Sequence, residues 1–218
     1  MILPLTLSGE IKKDDKKLKI AIKQETSATL VKEDFFYMEI KAKVIDEEGL
    51  VRTVTRLAHE ILEKNKGSHN LVLIGMRTRG EFIATRIHQK IKEIDNSNPD
   101  LGILDVTLYR DDFRTRLKQP QVSVTDITFD VNEKDIILID DVLYTGRTIR
   151  AALDALMDLG RPNTIQLCVL VDRGHREMPI KADFVGKNIP TSINEEVKVK
   201  LQEVDGEDAV YLVDSSKI

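Results

Sequence analysis

Three stretches of the chain are almost unbroken runs of apolar residues: Leu71-Val72-Leu73-Ile74-Gly75, Ile136-Ile137-Leu138-Ile139 and Ile165-Gln166-Leu167-Cys168-Val169-Leu170-Val171. Runs this short and this rich in branched side chains predict strands buried on both faces, as in a parallel sheet. Between them the period changes. Leu50, Val54, Leu57, Ala58 and Ile61 recur at helical spacing after the helix-start signal Asp46-Glu47-Glu48, and Asn65-Lys66-Gly67 ends that helix. A second helix is predicted from Glu81 to about Ile94, and a third from Ala151, Ala152, Leu153, Ala155, Leu156 and Leu159, closed by Gly160 and Pro162. Strands alternating with helices predict an α/β domain around a central, mostly parallel sheet flanked by helices. Gly102 to Tyr109 reads as one more strand. Val197 to Leu201, with its half-exposed alternation, and Ala209 to Val213 read as two later strands around the acidic turn Asp205-Gly206-Glu207-Asp208. Glu10 to Glu39 keeps neither period. Residues 1–42 are therefore expected to be a loosely ordered extension, and 43–218 the folded domain.

Composition narrows the classes. With 33 Lys and Arg against 37 Asp and Glu, a net charge of −4, the chain as a whole does not attract nucleic acid, and any RNA surface must be local. The single cysteine, Cys168, excludes an internal disulfide and sits in a predicted core strand as a small hydrophobe. Residues 1–7 lack the basic lead and sustained apolar core of a signal peptide, and no segment approaches a membrane span, so a cytoplasmic protein is expected. The chain carries no zinc-type cluster, Walker lysine loop or serine-hydrolase elbow.

The chemistry concentrates where Ile136–Ile139 runs into Asp140-Asp141-Val142-Leu143-Tyr144-Thr145-Gly146-Arg147-Thr148. Carboxylates at the carboxyl end of a parallel strand border the ligand crevice. Hydroxyls, backbone N–H groups and a glycine at a helix start suit a phosphate. Together they suit a sugar phosphate. The plainer alternative makes Asp141 a helix cap and Thr145 a turn residue, but leaves Asp140 at the end of an apolar strand without a partner, which is costly.

Apolar strand, acidic pair and Thr-Gly-Arg-Thr together resemble the 5-phosphoribosyl 1-diphosphate (PRPP) motif of type I phosphoribosyltransferases. With Asp172-Arg173-Gly174-His175-Arg176, the chain from about Ile45 onward is similar to the PyrR family, pyrimidine-operon attenuators that are also uracil phosphoribosyltransferases. The resemblance implies the type I fold with a small hood, and transfer of the phosphoribosyl group to uracil, giving UMP and diphosphate. It assigns Asp140 and Asp141 to the ribose hydroxyls and Val142 to Thr148 to the rest of the PRPP loop, with Thr145–Thr148 on the 5′-phosphate. Thr78, Arg79 and Gly80 fall to the leaving diphosphate. Arg110, which with Tyr109 opens a polar segment reaching Lys118, falls to the loop that closes over the sugar. Val185 and Gly186 fall to the base. Mg²⁺ is implied with PRPP, held mainly through substrate oxygens and water. No metal site built from protein ligands alone is expected.

The family further implies a homodimer or higher homo-oligomer and binding of pyrimidine-operon leader mRNA through Arg56, His59, His175, Arg176, Lys181 and Lys187. By spacing alone, Arg52, Arg56 and His59 form a polar helix stripe of the kind that is usually a solvated face, and a lone His175 is more often a surface histidine. Lys181 stands where the family pattern has an arginine, which removes a bidentate donor. Three other readings stay open at this stage: transfer to another base, an enzyme without RNA regulation, and a nucleotide-sensing RNA-binding regulator without turnover.

Overall fold

The computed structural model describes residues 12–14, 17–20, 38–109 and 125–215. In chain order its elements are β1 (Lys12–Asp14), β2 (Lys17–Ile20), β3 (Met38–Ile45), α1 (Glu47–Asn65), β4 (Leu71–Met76), α2 (Arg79–Asp95), β5 (Asp100–Leu104), a 3-10 turn (Thr107–Tyr109), β6 (Asp135–Leu143), α3 (Arg147–Leu159), β7 (Thr164–Asp172), β8 (Phe184–Asn188), β9 (Glu195–Lys200), α4 (Gln202–Asp205) and β10 (Ala209–Asp214).

Five strands form the predicted parallel sheet in the order β5-β4-β6-β7-β8. Its apolar runs are divided by strand alternation. Leu73, Ile137, Ile139 and Leu170 face α1 and α2, whereas Ile74, Ile136, Leu138 and Val169 face α3. Both faces are covered, which is why these strands read as continuous rather than alternating hydrophobic runs. Gly75 lets α2 lie against β4, since a Cβ there would stand 2.6 Å from the Glu81 Cα. α1 starts as its sequence predicts, with the Asp46 carboxylate accepting the Gly49 amide at 2.8 Å.

The second sheet is antiparallel, β1-β2-β3-β10-β9, and forms the hood. Val197, Val199, Leu201 and Val210 from it join the core shared with α1 and α2. The boundary expected after residue 42 falls inside β3, whose pairing with β10 runs from Glu39 to Ile45. Within the expected extension, β1 and β2 add to the β3 edge; the rest of it lies outside the described residues.

Two element boundaries differ from expectation. The strand predicted over 102–109 stops at Leu104, because the Asp105 carboxylate accepts both the amide and the hydroxyl of Thr107 at 2.8 and 2.5 Å and turns the chain. α2 begins at Arg79 rather than Glu81, so Arg79 and Gly80 occupy its first turn.

Candidate active site at the carboxyl edge of the parallel sheet

β6 carries Asp140 and Asp141 to the edge of the sheet and continues in register with β7 as far as Leu143 and Asp172. The carboxylates therefore lie within the last strand turns rather than after them. Both are half-buried, and each accepts a following amide: Asp141 N–H donates to Asp140 Oδ1 at 2.9 Å, and Val142 N–H to Asp141 Oδ1 at 2.8 Å. Asp140 thus has a partner even without a ligand, contrary to the sequence argument that a purely structural role would leave it alone.

The chain then turns through Tyr144, Thr145 and Gly146 into α3. Gly146 has φ 89°, in the left-handed region, and a Cβ there would stand 3.1 Å from the Met178 Cβ, so both backbone and space select glycine. Gly146 has no side chain to cap α3, and the Arg147 amide reaches Thr145 Oγ1 at a long 3.4 Å, so the first-turn amides face the loop. The outer side of this loop is held from the β7–β8 connection. Glu177 and Met178 donate their amides to the Thr145 carbonyl at 2.9 and 3.0 Å, and Arg147 Nε donates to Glu177 Oε2 at 2.5 Å.

Thr78, Arg79 and Gly80 come to the same edge from β4. The Arg77–Thr78 peptide is cis, and Thr78 is exposed at the head of α2. Gly80 makes the junction between the two halves of the site: a Cβ on it would stand 2.6 Å from the Ile139 carbonyl oxygen and 3.2 Å from the Asp140 Cα. Only glycine lets α2 start directly against the strand that bears the carboxylates. Arg79 makes a two-pronged ion pair with Asp205 of the hood, Nη2 to Oδ1 at 2.9 Å and Nε to Oδ2 at 3.3 Å.

Val185 and Gly186 lie on β8, with Val185 paired to Val169. Arg56 on α1 donates from Nη2 to the carbonyls of both, at 3.2 and 2.6 Å. Arg56 and Lys187, expected on the same RNA face, line one surface cleft of about 340 Å³ together with Arg52, Thr53 and Asp46. His59 is exposed on the same helix, and Lys181 and His175 are exposed on the β7–β8 connection. Arg176 differs from the others in that set. Its guanidinium is turned inward, donating to the carbonyls of Ile180, Tyr144 and Gly174 at 3.0, 2.8 and 3.1 Å and to the Asp172 carboxylate. Arg110 and the segment to Lys118 lie outside the described residues.

Sequence reasoning gave no role to Arg173, Arg86 or Asp205. Arg173 is buried, with its guanidinium carbon 4.0 Å from the centroid of the Tyr144 ring and Nη2 donating to the Glu195 carbonyl at 2.6 Å. It thereby ties the candidate phosphate loop to the hood. Its place directly after a predicted strand end was the available signal. The buried Cys168 thiol is pushed up by desolvation and stays protonated at neutral pH, which makes it inert, as its strand context predicts.

The model of the phosphoribosyl transferase domain matches residues 42–203. The chain is 56% identical over 177 residues to the Bifunctional protein PyrR of Pelotomaculum thermopropionicum, covering 81% of this chain and 98% of that one. It is also 56% identical over 172 residues to that of Clostridioides difficile, covering 79% and 97%.

The chain belongs to the PyrR family of phosphoribosyltransferases.

Solved structures agree on the fold. A hypoxanthine-guanine phosphoribosyltransferase from Bacillus anthracis superposes with TM-score 0.61 at 22% identity, covering 80% of this chain and 99% of that one. A hypoxanthine phosphoribosyltransferase from Trypanosoma cruzi gives 0.62 at 18% identity, covering 80% and 97%. The type I fold expected from sequence is therefore present, with its hood. Outside the fold itself, the PyrR family is the more informative comparison, since identity to these purine-enzyme structures is too low to carry an acceptor base. Among the described residues no helix is long and apolar enough to cross a membrane.

Proposed function

We propose that the chain transfers the phosphoribosyl group of PRPP to uracil and that uridine nucleotides control its binding to a pyrimidine-operon leader RNA, as a cytoplasmic homo-oligomer. The single observation that carries the enzymatic part is the junction at Gly80. It sets the uncapped start of α2 directly against the strand that bears the carboxylate pair. That strand leads through Tyr144, Thr145 and Gly146 into a second helix start, so that three groups at one sheet edge match the three anionic or hydroxylated parts of PRPP. Asp140 and Asp141 accept the ribose hydroxyls. The Thr145–Thr148 turn takes the 5′-phosphate with amides and hydroxyls, flanked by Val142, Leu143 and Tyr144. Thr78, Arg79 and Gly80 take the diphosphate, and Val185 and Gly186, whose carbonyls are held by Arg56, fall to the base.

Mg²⁺ fits this donor set. Two carboxylates at one edge are hard oxygen ligands, too few for a cage, and among the described residues no group of three or more His, Cys, Asp or Glu could hold a metal alone. When bound with PRPP, the ion neutralises charge on the leaving diphosphate. The ribose becomes positively charged as the bond to diphosphate breaks, so the protein contributes placement, anion stabilisation and exclusion of water rather than a nucleophile. The acceptor is tested by diphosphate release from PRPP and Mg²⁺ with uracil, hypoxanthine, guanine and orotate in turn. Release with uracil alone is expected, and equal or better release with a purine base removes the uracil reading.

The RNA reading is favoured by the cleft where Arg52, Arg56 and Lys187 converge on an otherwise acidic chain. The family resemblance adds the exposed His59, His175 and Lys181 to the same reading, while Arg176 contributes by shaping the turn that carries His175. Arg56→Ala with Lys187→Ala is expected to weaken leader-hairpin binding. It should also lower the log–log salt slope by roughly one for each phosphate that the double variant no longer neutralises. UMP is expected to strengthen the wild-type complex through its different affinities for the RNA-competent and RNA-free states. Equal, UMP-insensitive binding to leader and scrambled hairpins removes the regulator and leaves the enzyme.

A further inference from the structure

We infer that Asp205 of the hood is a positioning residue for the diphosphate, acting through Arg79. The inference rests on the assignment of Thr78–Gly80 to the diphosphate. Arg79 is the first residue of α2, and Gly80 beside it packs directly on the backbone of Ile139 and Asp140, so the stem of Arg79 is fixed relative to the carboxylate pair. Its guanidinium is held by Asp205 along one edge only. Nε and Nη2 are engaged at distances of 2.9 to 3.3 Å, whereas Nη1 has no hydrogen-bond partner among the described residues. The side chain retains 32% exposure. A carboxylate gripping one edge of the planar fork sets its direction and leaves the other edge for a second anion.

Asp205 is itself fixed. Its Oδ2 accepts the Leu201 amide at 3.1 Å, its own amide donates to the Leu201 carbonyl at 2.7 Å, and Gly206, φ 73°, closes the turn behind it. The hood turn does not depend on Asp205 for attachment, because Arg86 grips Glu203 and Asp208 with hydrogen bonds of 2.6 to 2.9 Å. Arg86 lies seven residues beyond Arg79, on the same face of α2. One arginine therefore anchors the hood, and the other is oriented by it. A long side chain ordered before the ligand arrives loses less freedom on binding, which favours the diphosphate-bearing substrate and leaves the base unaffected. The opposite relation, in which Asp205 competes with diphosphate for Arg79, predicts the opposite sign for the change in PRPP affinity of Asp205→Asn.

The test compares Asp205→Asn, Asp205→Glu and Glu203→Gln, alone and with Arg79→Ala, by steady-state kinetics and by calorimetric titration with PRPP and Mg²⁺. Asp205→Asn is expected to raise KM and Kd for PRPP by about 10-fold, with kcat and the KM for uracil changed less than about twofold. Asp205→Glu should restore part of the loss, and Glu203→Gln should leave PRPP binding unchanged. With Arg79→Ala already present, Asp205→Asn should add less than about twofold. An unchanged or lower Kd for PRPP in Asp205→Asn overturns the inference. So does an equal loss for both substrates with a lowered melting temperature, or full additivity with Arg79→Ala. A wild type that binds PRPP but does not use uracil removes only the acceptor, and the titrations still decide the role of Asp205. A wild type that does not bind PRPP removes the diphosphate assignment and this inference with it.

Discussion

The parallel sheet and the hood meet at the candidate site from opposite sides and are held by different physics. β4, β6 and β7 are buried on both faces, and the site groups they carry are positioned by backbone: register with neighbouring strands, and Gly80 against Ile139. The hood buries Val197, Val199, Leu201 and Val210 in the shared core and Ala209, Tyr211 and Val213 in a smaller cluster on its other face, and its rim is fastened by charge. Arg79 and Arg86 of α2 reach Glu203, Asp205 and Asp208, while Lys41 bridges Glu195 and Asp214 across the hood sheet itself. Close packing is insensitive to pH and salt, whereas partly exposed ion pairs respond to both. The groups assigned to the sugar phosphate thus sit on the rigid side, and the opposite side is fastened by bonds of modest strength.

The largest effect is expected on the rigid side, at its chemistry. Asp140→Asn with Asp141→Asn removes the charge from two acceptors assigned to the ribose. At about 1.5–3 kcal/mol for each charged hydrogen bond, the fall in kcat/KM should be on the order of 10²–10⁴-fold. An unchanged melting temperature should accompany it, because an amide can still accept the neighbouring N–H groups. Near wild-type turnover in the double variant would remove the carboxylates from the site and with them the functional asymmetry between the two regions.

A matched pair of truncations tests the physical asymmetry. Ile137→Ala opens a cavity in a fully buried strand and should cost about 2–5 kcal/mol of stability in chemical denaturation. Arg86→Ala removes the hood anchor and should cost less, about 1–3 kcal/mol, since water reaches Glu203 and partly replaces the lost bonds. The ordering is the prediction. A hood truncation costlier than the core truncation would mean that the rim carries the fold.

Much of this architecture was legible in the chain, for local reasons. Helical period, the Asp46 cap, the unbroken strands and the acidic pair before Thr145-Gly146-Arg147-Thr148 all lie within a few residues of what they specify. The short strand β5 was misread because one Asp105 side chain ends it. The hood fastening was illegible for a different reason. Arg79 and Asp205 are 126 positions apart, Arg86 and Glu203 are 117, and nothing nearby marks these as partners rather than solvated charges. Arg176 shows the same limit in reverse: an arginine expected to face RNA is spent on carbonyls of its own turn and of the phosphate loop.

Acid should separate the two regions further. Burial tends to raise the Asp208 carboxyl, but its bonds from Arg86 and from the Gln202 amide outweigh this and hold it below its ordinary value of 3.8. Burial would lower the Arg86 guanidinium, and Asp208 and Glu203 instead hold it above its ordinary value. A carboxyl depressed in the folded state stabilises fully above its unfolded value and loses that contribution as pH falls through the folded one. The gap in stability between wild type and Asp208→Asn should therefore hold from pH 7 to about pH 5 and narrow below about pH 4. The same gap at pH 3 as at pH 7, in thermal unfolding of both proteins, would mean that Asp208 acts by shape alone.

The smallest effect is expected at the outer edge of the hood sheet. β2 meets β3 through only two register pairs, Lys19 with Glu39 and Ile20 with Met38, whereas β10 covers the opposite edge of β3 along its whole length. Neither β1 nor β2 contributes a residue assigned to PRPP, base or RNA. A chain begun at Met38 keeps β3 intact and uncovers an edge carrying Glu39, Lys41 and Lys43, charges of the kind that discourage edge-to-edge association. PRPP-dependent UMP formation should therefore stay within about twofold of the full chain. The melting temperature should fall by no more than a few degrees, as expected for a loss of about 1 kcal/mol or less. A large fall in turnover with the fold preserved would place residues 1–37 at the site. A collapse in stability would mean that the edge strands help to hold the hood, which would then be fastened by backbone pairing as much as by charge.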